Sequence, residues 1–156
     1  MRFVNLSLAG PYNKLLDLAV ERALARGLIL VAAVGNDGPE ATLRYPAGFE
    51  DVIAVTAIDA AGNAYRNAVR GPHVDIAVPG VDVLVPSGQS PRFVTGTSIA
   101  TPLITARLVA DPALAKARNA ADVRKRLSLT SAELGPKGCD EVFGYGLALA
   151  DGICGE

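Results

Sequence analysis

Four runs of mainly apolar residues, separated by polar segments, dominate the first half of the chain. They cover residues 3–8, 28–34, 52–58 and 74–78. The run 28–34 contains no polar residue, which is typical of a parallel strand buried on both faces. Turn-forming residues follow two of the runs, at Gly10-Pro11 and at Pro79-Gly80. The pattern predicts the short strands of a mainly parallel sheet.

Three further segments have the spacing or the boundaries of helices. Residues 14–26 follow a candidate N-cap at Asn13 and precede a stop at Gly27, and their apolar side chains recur at helical intervals. A second helix is expected from Ser98 to about residue 110, and a third after a cap at Asn119. The first helix joins two predicted strands in a right-handed β-α-β unit. Residues 81–85 and 92–95 predict a hairpin, so the expected fold class is α/β.

The composition is that of one folded domain. The chain has 156 residues, 50% of them hydrophobic, and a formal net charge of −1. This hydrophobic content excludes disorder, and the near-zero charge gives no electrostatic basis for binding nucleic acid or a membrane surface. No apolar run approaches the roughly 20 residues of a membrane span, and the N-terminus does not have the pattern of a signal peptide. We therefore expect neither nucleic-acid nor membrane partners.

Two cysteines, Cys139 and Cys154, lie near the C-terminal end. A disulfide between them would close a loop of about 15 residues and contribute roughly 3 kcal/mol in the chain-entropy model. Such a bridge would suit an oxidising compartment, and the alternative is two unpaired thiols. With a single histidine in the chain, the cysteines do not form a metal-binding pattern. We expect no metal and no cofactor.

The segment 94–102, VTGTSIATP, predicts a strand, a turn of small residues and the start of a helix. Ser98 at this turn would have the unpaired N–H groups and the positive dipole end of the helix behind it. That position suits a nucleophile whose attack creates an oxyanion. The alternative is that Thr97 or Ser98 only caps the helix. Pro102 follows four positions later, where we expect a first helical turn to tolerate its missing N–H.

The loop Gly35-Asn36-Asp37-Gly38 follows the second predicted strand. Open α/β sheets place their sites beyond the carboxyl ends of strands, where this loop would lie. The same residues are good turn formers, because Asn tolerates left-handed φ. On the residues alone, a turn is the favoured interpretation of Asn36. The loop lacks the glycine patterns of dinucleotide and P-loop sites, which argues against a nucleotide-binding domain.

Three segments together resemble the subtilisin-like serine proteases, the subtilases. Residues 96–106 resemble the active-site serine motif, residues 32–38 the oxyanion-hole segment, and residues 4–10 the strand that lines the substrate cleft. Their order matches that of the family, and the resemblance covers about residues 3–149. It implies a three-layer α/β/α fold with a mainly parallel sheet, incomplete relative to the full family fold. Residues 1–156 would form a single domain, the C-terminal part of a catalytic domain.

The resemblance also implies roles for individual residues. Ser98 would be the nucleophile, and the Asn36 amide would hold the oxyanion together with the Ser98 backbone N–H. A polypeptide substrate would lie in a cleft walled by Ser7, Leu8, Ala9, Gly10, Ala33, Val34 and Gly35. Members of the family are usually secreted, so the resemblance implies a secreted or periplasmic protein.

The sequence departs from the family pattern at several positions. Leu103 follows Pro102, where the family usually has His. Arg107 and Asp111 lie in a helix that the family keeps apolar, and they could pair at i, i+4 or lie on an exposed face. The family's catalytic Asp and His precede the matching region, and the single histidine, His73, matches neither position. We expect His73 to be a loop residue.

A serine hydroxyl without an adjacent base is a poor nucleophile. We therefore expect the chain alone to be a nearly inactive serine endopeptidase or, as the alternative, a non-catalytic binding or assembly module. The strand over residues 3–8 would lie at an exposed apolar edge of the sheet, and such an edge invites pairing. The expected partners are a second copy of the chain, by dimerisation or exchange of elements, or the missing N-terminal half of the family fold.

Overall fold

Eight strands and three α-helices build the part of the chain that the computed structural model describes, residues 2–86, 88 and 90–148. The strands are β1 (Phe3–Leu6), β2 (Ile29–Ala33), β3 (Val52–Ile58), β4 (Ile76–Pro79), β5 (Val83–Val85), β6 (Arg92–Val94), β7 (Ser131–Ala132) and β8 (Leu147–Ala148). Six of them form one sheet in the order β1-β2-β3-β4-β8-β7. Strands β1 to β4 and β8 run parallel, and β7 runs antiparallel to β8.

The central strands owe their position to their apolar sequences. Every residue of β2 and of β3 is buried, as expected for parallel strands that are covered on both faces. They pair in register, with Val31 opposite Ile53. The predicted hairpin is also confirmed, since β5 and β6 form a separate antiparallel pair. The two-residue strands β7 and β8 were not predicted.

The helices cover the two faces of the sheet. Helix α1 (Lys14–Ala25) packs on one face, and α2 (Thr97–Ala110) and α3 (Ala120–Thr130) pack on the other, beside a short 3₁₀ helix (Leu114–Lys116). The predicted caps are confirmed: the Asn13 side chain accepts from the backbone N–H groups of Leu15 and Leu16, and that of Asn119 accepts from Asp122. The three-layer α/β/α arrangement with a mainly parallel sheet is confirmed.

Pro102 does not lie in the first turn of α2. The helix begins at Thr97, after a cap at Gly96, so Pro102 is its sixth residue. Only the first four N–H groups of a helix lack an intrahelical acceptor. The expectation that Pro102 falls where a missing N–H is tolerated is therefore wrong. Its ring nitrogen stands where the donor to the carbonyl of Ser98, four residues earlier, would normally be.

Helix α2 is buried along one face only. Its inner residues include Ala100, Ile104 and Leu108, none of them accessible to solvent. Leu103 and Val109 on the other side are 45% and 51% exposed. The sequence left two alternatives for Arg107 and Asp111, a pair or an exposed face; both residues are half-buried, so the exposure of Leu103 and Val109 does not decide between them. The Asp111 carboxylate accepts from the backbone N–H groups of Ala113 and Leu114 and so begins the 3₁₀ helix.

Strand β1 forms one edge of the sheet, as expected. An apolar groove of about 230 Å³ lies beside it, between the edge of the sheet and α1. Its lining comes from β1, α1 and the region of β2, and includes Val4, Leu6 and Leu16. Leu15, on α1, is 77% exposed. Among the described residues, the helices are too short or too polar to cross a lipid bilayer.

A buried ion pair joins the start of β4 to α3. Asp75 is only 6% exposed. Its carboxylate accepts from Arg124 Nε at 2.7 Å and Nη2 at 3.1 Å, and from the backbone N–H of Ala54 at 2.9 Å. Arg124 Nη2 also donates to the carbonyl of Val52 at 2.9 Å. The pair thus links β3, β4 and α3 at the N-terminal end of the strands.

Candidate active site

The N-terminus of α2 lies against the carboxyl end of β4. The backbone N–H of Gly96 donates to the carbonyl of Gly80, the residue that follows β4, at 2.8 Å. A side chain at Gly80 would come within 2.8 Å of the Ala57 Cβ and 3.0 Å of the Ala100 Cβ. Only glycine therefore permits this close approach. Ser98, the second residue of α2, is thereby placed beyond the carboxyl ends of the strands, where open α/β folds carry their sites.

Thr97 fixes the orientation of the Asn36 side chain. The Asn36 Oδ1 atom accepts from both the backbone N–H and the hydroxyl of Thr97, each at 3.0 Å. The Thr97 hydroxyl in turn accepts from the backbone N–H of Gly35 at 3.2 Å. Because two donors face the amide oxygen, the amide nitrogen must be the atom that points the other way. Thr97 is fully buried, and so is its bond with Gly35, whereas its two bonds with Asn36 are partly buried.

The Asn36 amide nitrogen and the Ser98 hydroxyl approach the same small space beside Gly96. A Cβ atom at Gly96 would lie 3.4 Å from Asn36 Nδ2 and 3.3 Å from Ser98 Oγ. The absent side chain leaves this space open between the two groups. A hydroxyl oxygen, an amide donor and the N-terminus of a helix therefore converge on one point, an arrangement able to stabilise negative charge that develops on a bound carbonyl.

A cavity of about 240 Å³ opens at this point. The residues that line it are Ser7, Leu8, Ala9, Ala33, Gly35, Asn36, Asp37, Thr97 and Ser98. Five of the seven residues that the sequence assigned to the cleft walls are among them. The other two lie elsewhere: the Val34 side chain is fully buried in the core, and Gly10 pairs its backbone with Tyr45, at 3.0 and 2.8 Å.

His73 lies at the other end of β4 from Ser98. It precedes the strand, whereas Gly80 and the start of α2 lie beyond it. Four strand residues separate the two ends by about 13 Å. Burial lowers the pKa of His73, and the charge of Asp75 acts in the opposite direction. Among the described residues, no histidine or carboxylate hydrogen-bonds the Ser98 hydroxyl, so His73 is not placed to act as its base.

A second cavity, of about 260 Å³, surrounds His73 and the Asp75–Arg124 pair. Cys139 also lines it; the residue as a whole is exposed, but its sulfur is partly buried, and this burial raises the pKa of the thiol. Cys154, its predicted disulfide partner, lies outside the described residues, so the bridge stays a prediction. The ion pair itself was missed from the sequence. One signal in the sequence could have indicated it: Asp75 is an acidic residue inside a predicted buried strand, and such residues are almost never buried without a partner.

Comparison with known proteins agrees with this architecture. The model of the subtilase family matches residues 1–146, and the chain therefore belongs to the subtilase family. Subtilisin DY of Bacillus licheniformis is 35% identical over 152 residues, which cover 94% of this chain and 53% of the relative. A thermostable alkaline protease of Halalkalibacterium halodurans is 35% identical over 156 residues, 96% of this chain and 41% of the relative.

A solved structure gives the same result. That of prenylagaramide maturation protease PagA matches with a TM-score of 0.76 and 25% identity, over 95% of this chain and 59% of the other. The predicted subtilisin-like fold is thus confirmed. The chain spans about half the length of these three proteins.

Proposed function

We propose that this chain is the serine-bearing, C-terminal part of a subtilisin-like serine endopeptidase. The observation that carries the proposal is the Asn36 amide, which Thr97 holds with its nitrogen towards Ser98. Ser98 is the nucleophile. The Asn36 side chain and the Ser98 backbone N–H at the start of α2 donate to the oxyanion that forms when Ser98 attacks a carbonyl.

The substrate is a polypeptide that lies extended in the cavity beside Ser98. Ser7, Leu8 and Ala9 form one wall, and Ala33, Val34 and Gly35 form the other, whereas Gly10 pairs with Tyr45 outside the cavity. Val34 contributes through its backbone, because its side chain is part of the core. An extended peptide between two such segments can add to them as a further strand. Export from the cytoplasm, as a secreted or periplasmic protein, is part of the same proposal.

The base that activates Ser98 comes from outside the described residues. In subtilisin itself, removal of the catalytic histidine lowers turnover by about 2 × 10⁶, and the oxyanion hole and binding alone leave about 10³–10⁴ over water. Ser98 and Asn36 line the cavity beyond one end of β4, and His73 lies at the other end. Full activity thus requires a polypeptide that carries the family's Asp and His.

The edge strand β1 is the surface on which such a polypeptide, or a second copy of this chain, would pair. Four residues of β1 are paired on one side only within the sheet, and the groove beside them is lined almost entirely by apolar groups. Light scattering at high concentration tests the self-association. We expect Val4→Lys to reduce it and Leu129→Lys, at an exposed site on α3, to leave it unchanged. A wild-type chain that remains monomeric at every concentration would exclude the second copy as the partner.

The active site is tested by labelling the purified chain with a fluorophosphonate probe, beside Ser98→Ala. Labelling that is lost in Ser98→Ala supports the nucleophile. Asn36→Ala should lower its rate by about 10²–10³, whereas Asn67→Ala, at an exposed asparagine, should not. If the chain alone is not labelled, the experiment is repeated with a polypeptide supplying the Asp and His motifs of a relative. Absence of Ser98 labelling in that mixture would refute the proposal.

The alternative function is a non-catalytic binding or assembly module. Two observations favour it. No base within the described residues hydrogen-bonds the Ser98 hydroxyl, and β1 is an edge strand with an apolar groove beside it. Association through β1 without labelling of Ser98, in the chain or in the mixture, would select this function.

A further inference from the structure

The Ser7 hydroxyl donates to the backbone carbonyl of Ser98 at 2.8 Å, across 91 positions of sequence. In an uninterrupted α-helix, that carbonyl would accept from the N–H four residues later. The residue four positions later is Pro102, which has no N–H. A side chain from the wall of the cavity therefore supplies a hydrogen bond at the place where the helix cannot.

The Ser7 hydroxyl is itself held in the donating direction. Asn5 Nδ2 donates to Ser7 Oγ at 3.0 Å, so the Ser7 proton is left for the carbonyl of Ser98. The Asn5 Oδ1 atom faces the Thr105 hydroxyl at 3.1 Å, two turns further along α2. The Thr105 hydroxyl also lies 2.9 Å from the carbonyl of Thr101. The chain of contacts thus leaves α2 at Ser98 and returns to it at Thr105.

We propose that Ser7 is a positioning residue for Ser98. Its hydroxyl holds the peptide group of Ser98 in place of the helical bond that Pro102 removes, and it fixes the distance between the cavity wall and the nucleophile. This inference rests on the proposed function of Ser98. It gives the Ser7 side chain a role in positioning the nucleophile. The Ser7 backbone keeps its proposed role in the cavity wall that contacts substrate.

The relation between Ser7 and Pro102 provides a specific test. Pro102→Ala restores an N–H at the position that normally donates to the carbonyl of Ser98. In that background the Ser7 hydroxyl is no longer needed, and Ser7→Ala should have little effect. A role of Ser7 in the wall alone would not depend on residue 102, because Pro102 is exposed on the outer side of α2 and does not line the cavity.

The experiment measures two quantities in Ser7→Ala, Ser7→Thr, Pro102→Ala and the double variant Ser7→Ala/Pro102→Ala. The first is the rate of fluorophosphonate labelling of Ser98. We expect Ser7→Ala to lower it about 3- to 10-fold, the effect of one neutral hydrogen bond. Ser7→Thr should retain the rate, and the double variant should lie within about twofold of Pro102→Ala. Ser128→Ala is the matched control, since it removes a bond of the same type, at 2.9 Å to the carbonyl of Lys125 in α3.

The second quantity is the ¹³C chemical shift of the Ser98 carbonyl, which responds to its hydrogen bond whether or not Ser98 reacts. We expect the shift to change in Ser7→Ala and not when the same substitution is made in Pro102→Ala. An unchanged shift in Ser7→Ala, or an equal loss of labelling rate in both backgrounds, would overturn the inference. Where the chain alone is not labelled, the rates are measured in the mixture with the polypeptide that supplies the Asp and His motifs. Absence of labelling in every variant in that mixture, with the expected shifts, would refute the proposed function and leave the positioning contact established.

Discussion

The substitution Thr97→Val tests the support of the candidate oxyanion site. Valine has nearly the shape of threonine, so the fully buried site keeps its packing and loses only the hydroxyl. That hydroxyl joins two groups: it accepts from the buried backbone N–H of Gly35 and donates to Asn36 Oδ1. After the substitution, Gly35 loses this acceptor, and the Asn36 amide keeps only the backbone N–H of Thr97 as a donor.

The loss can be estimated from these two bonds. A buried donor left without its acceptor costs about 1–3 kcal/mol, and the bond to the exposed Asn36 contributes about 0.5–1.5 kcal/mol. We therefore expect the free energy of unfolding to fall by roughly 2–4 kcal/mol. In a domain of this size, each kcal/mol shifts Tm by about 2–4 °C. The expected decrease in Tm is on the order of 4–16 °C.

Thermal unfolding followed by circular dichroism measures this decrease, and Thr101→Val is the matched control. Thr101 is equally buried and lies in the same helix, but its hydroxyl donates to the carbonyl of Thr97, which is also within reach of a helical N–H. Its loss should therefore change Tm little. If both variants unfold at the same temperature, Thr97 does not support the site through its hydroxyl, and the reasoning fails. A reduced labelling rate of Ser98 is expected in Thr97→Val alone.

Three other substitutions address the remaining features. Arg124→Met leaves the Asp75 carboxylate buried without its counter-ion and should lower the free energy of unfolding by about 3–5 kcal/mol; a denaturant titration giving less than about 1 kcal/mol would contradict this. Gly96→Ala places a methyl group 3.3 Å from Ser98 Oγ and 3.4 Å from Asn36 Nδ2, at a backbone φ of +157° that disfavours a side chain, and should lower the labelling rate in a chain that still folds by circular dichroism. Burial lowers the pKa of His73 in the folded state, so the unfolded chain binds more protons and stability falls as pH drops through about 6.5. His73→Gln should flatten this pH dependence; an unchanged slope between pH 7.5 and 5.5 would show that His73 does not cause it.

Local signals in the sequence predicted most of the fold. The apolar runs form β2 and β3 because a strand that is apolar on both faces is buried only when helices cover both faces of the sheet. Asn13 and Asn119 fixed the starts of two helices through side-chain bonds to residues two or three positions away. These signals need no knowledge of the rest of the chain. By contrast, β7 and β8 are only two residues long and exist through pairing with distant strands, so their own sequences carry no period to detect.

Contacts between distant residues could not be predicted in this way. The partner of Asp75 lies 49 positions away, and the partner of the Ser98 carbonyl lies 91 positions away. The position of Pro102 was misjudged by counting: even a helix that begins at Ser98 makes Pro102 its fifth residue, beyond the first four N–H groups, and the observed start at Thr97 makes it the sixth. The motif resemblance identified Ser98 and Asn36 as candidates, but only the tertiary contacts relate the Thr97 hydroxyl to the orientation of the amide.

Helix α2 packs against β1, β2, β3 and β4, and its far end contacts the 3₁₀ helix. An element with so many buried neighbours opens only when most of the structure opens with it. Backbone amides in α2 should therefore exchange with solvent at close to the rate of global unfolding, and Ser98 should keep its alignment until that point. It follows that a covalent probe on Ser98 reports the population of the native state. Substitutions that weaken the core beneath α2 will lower reactivity and stability together.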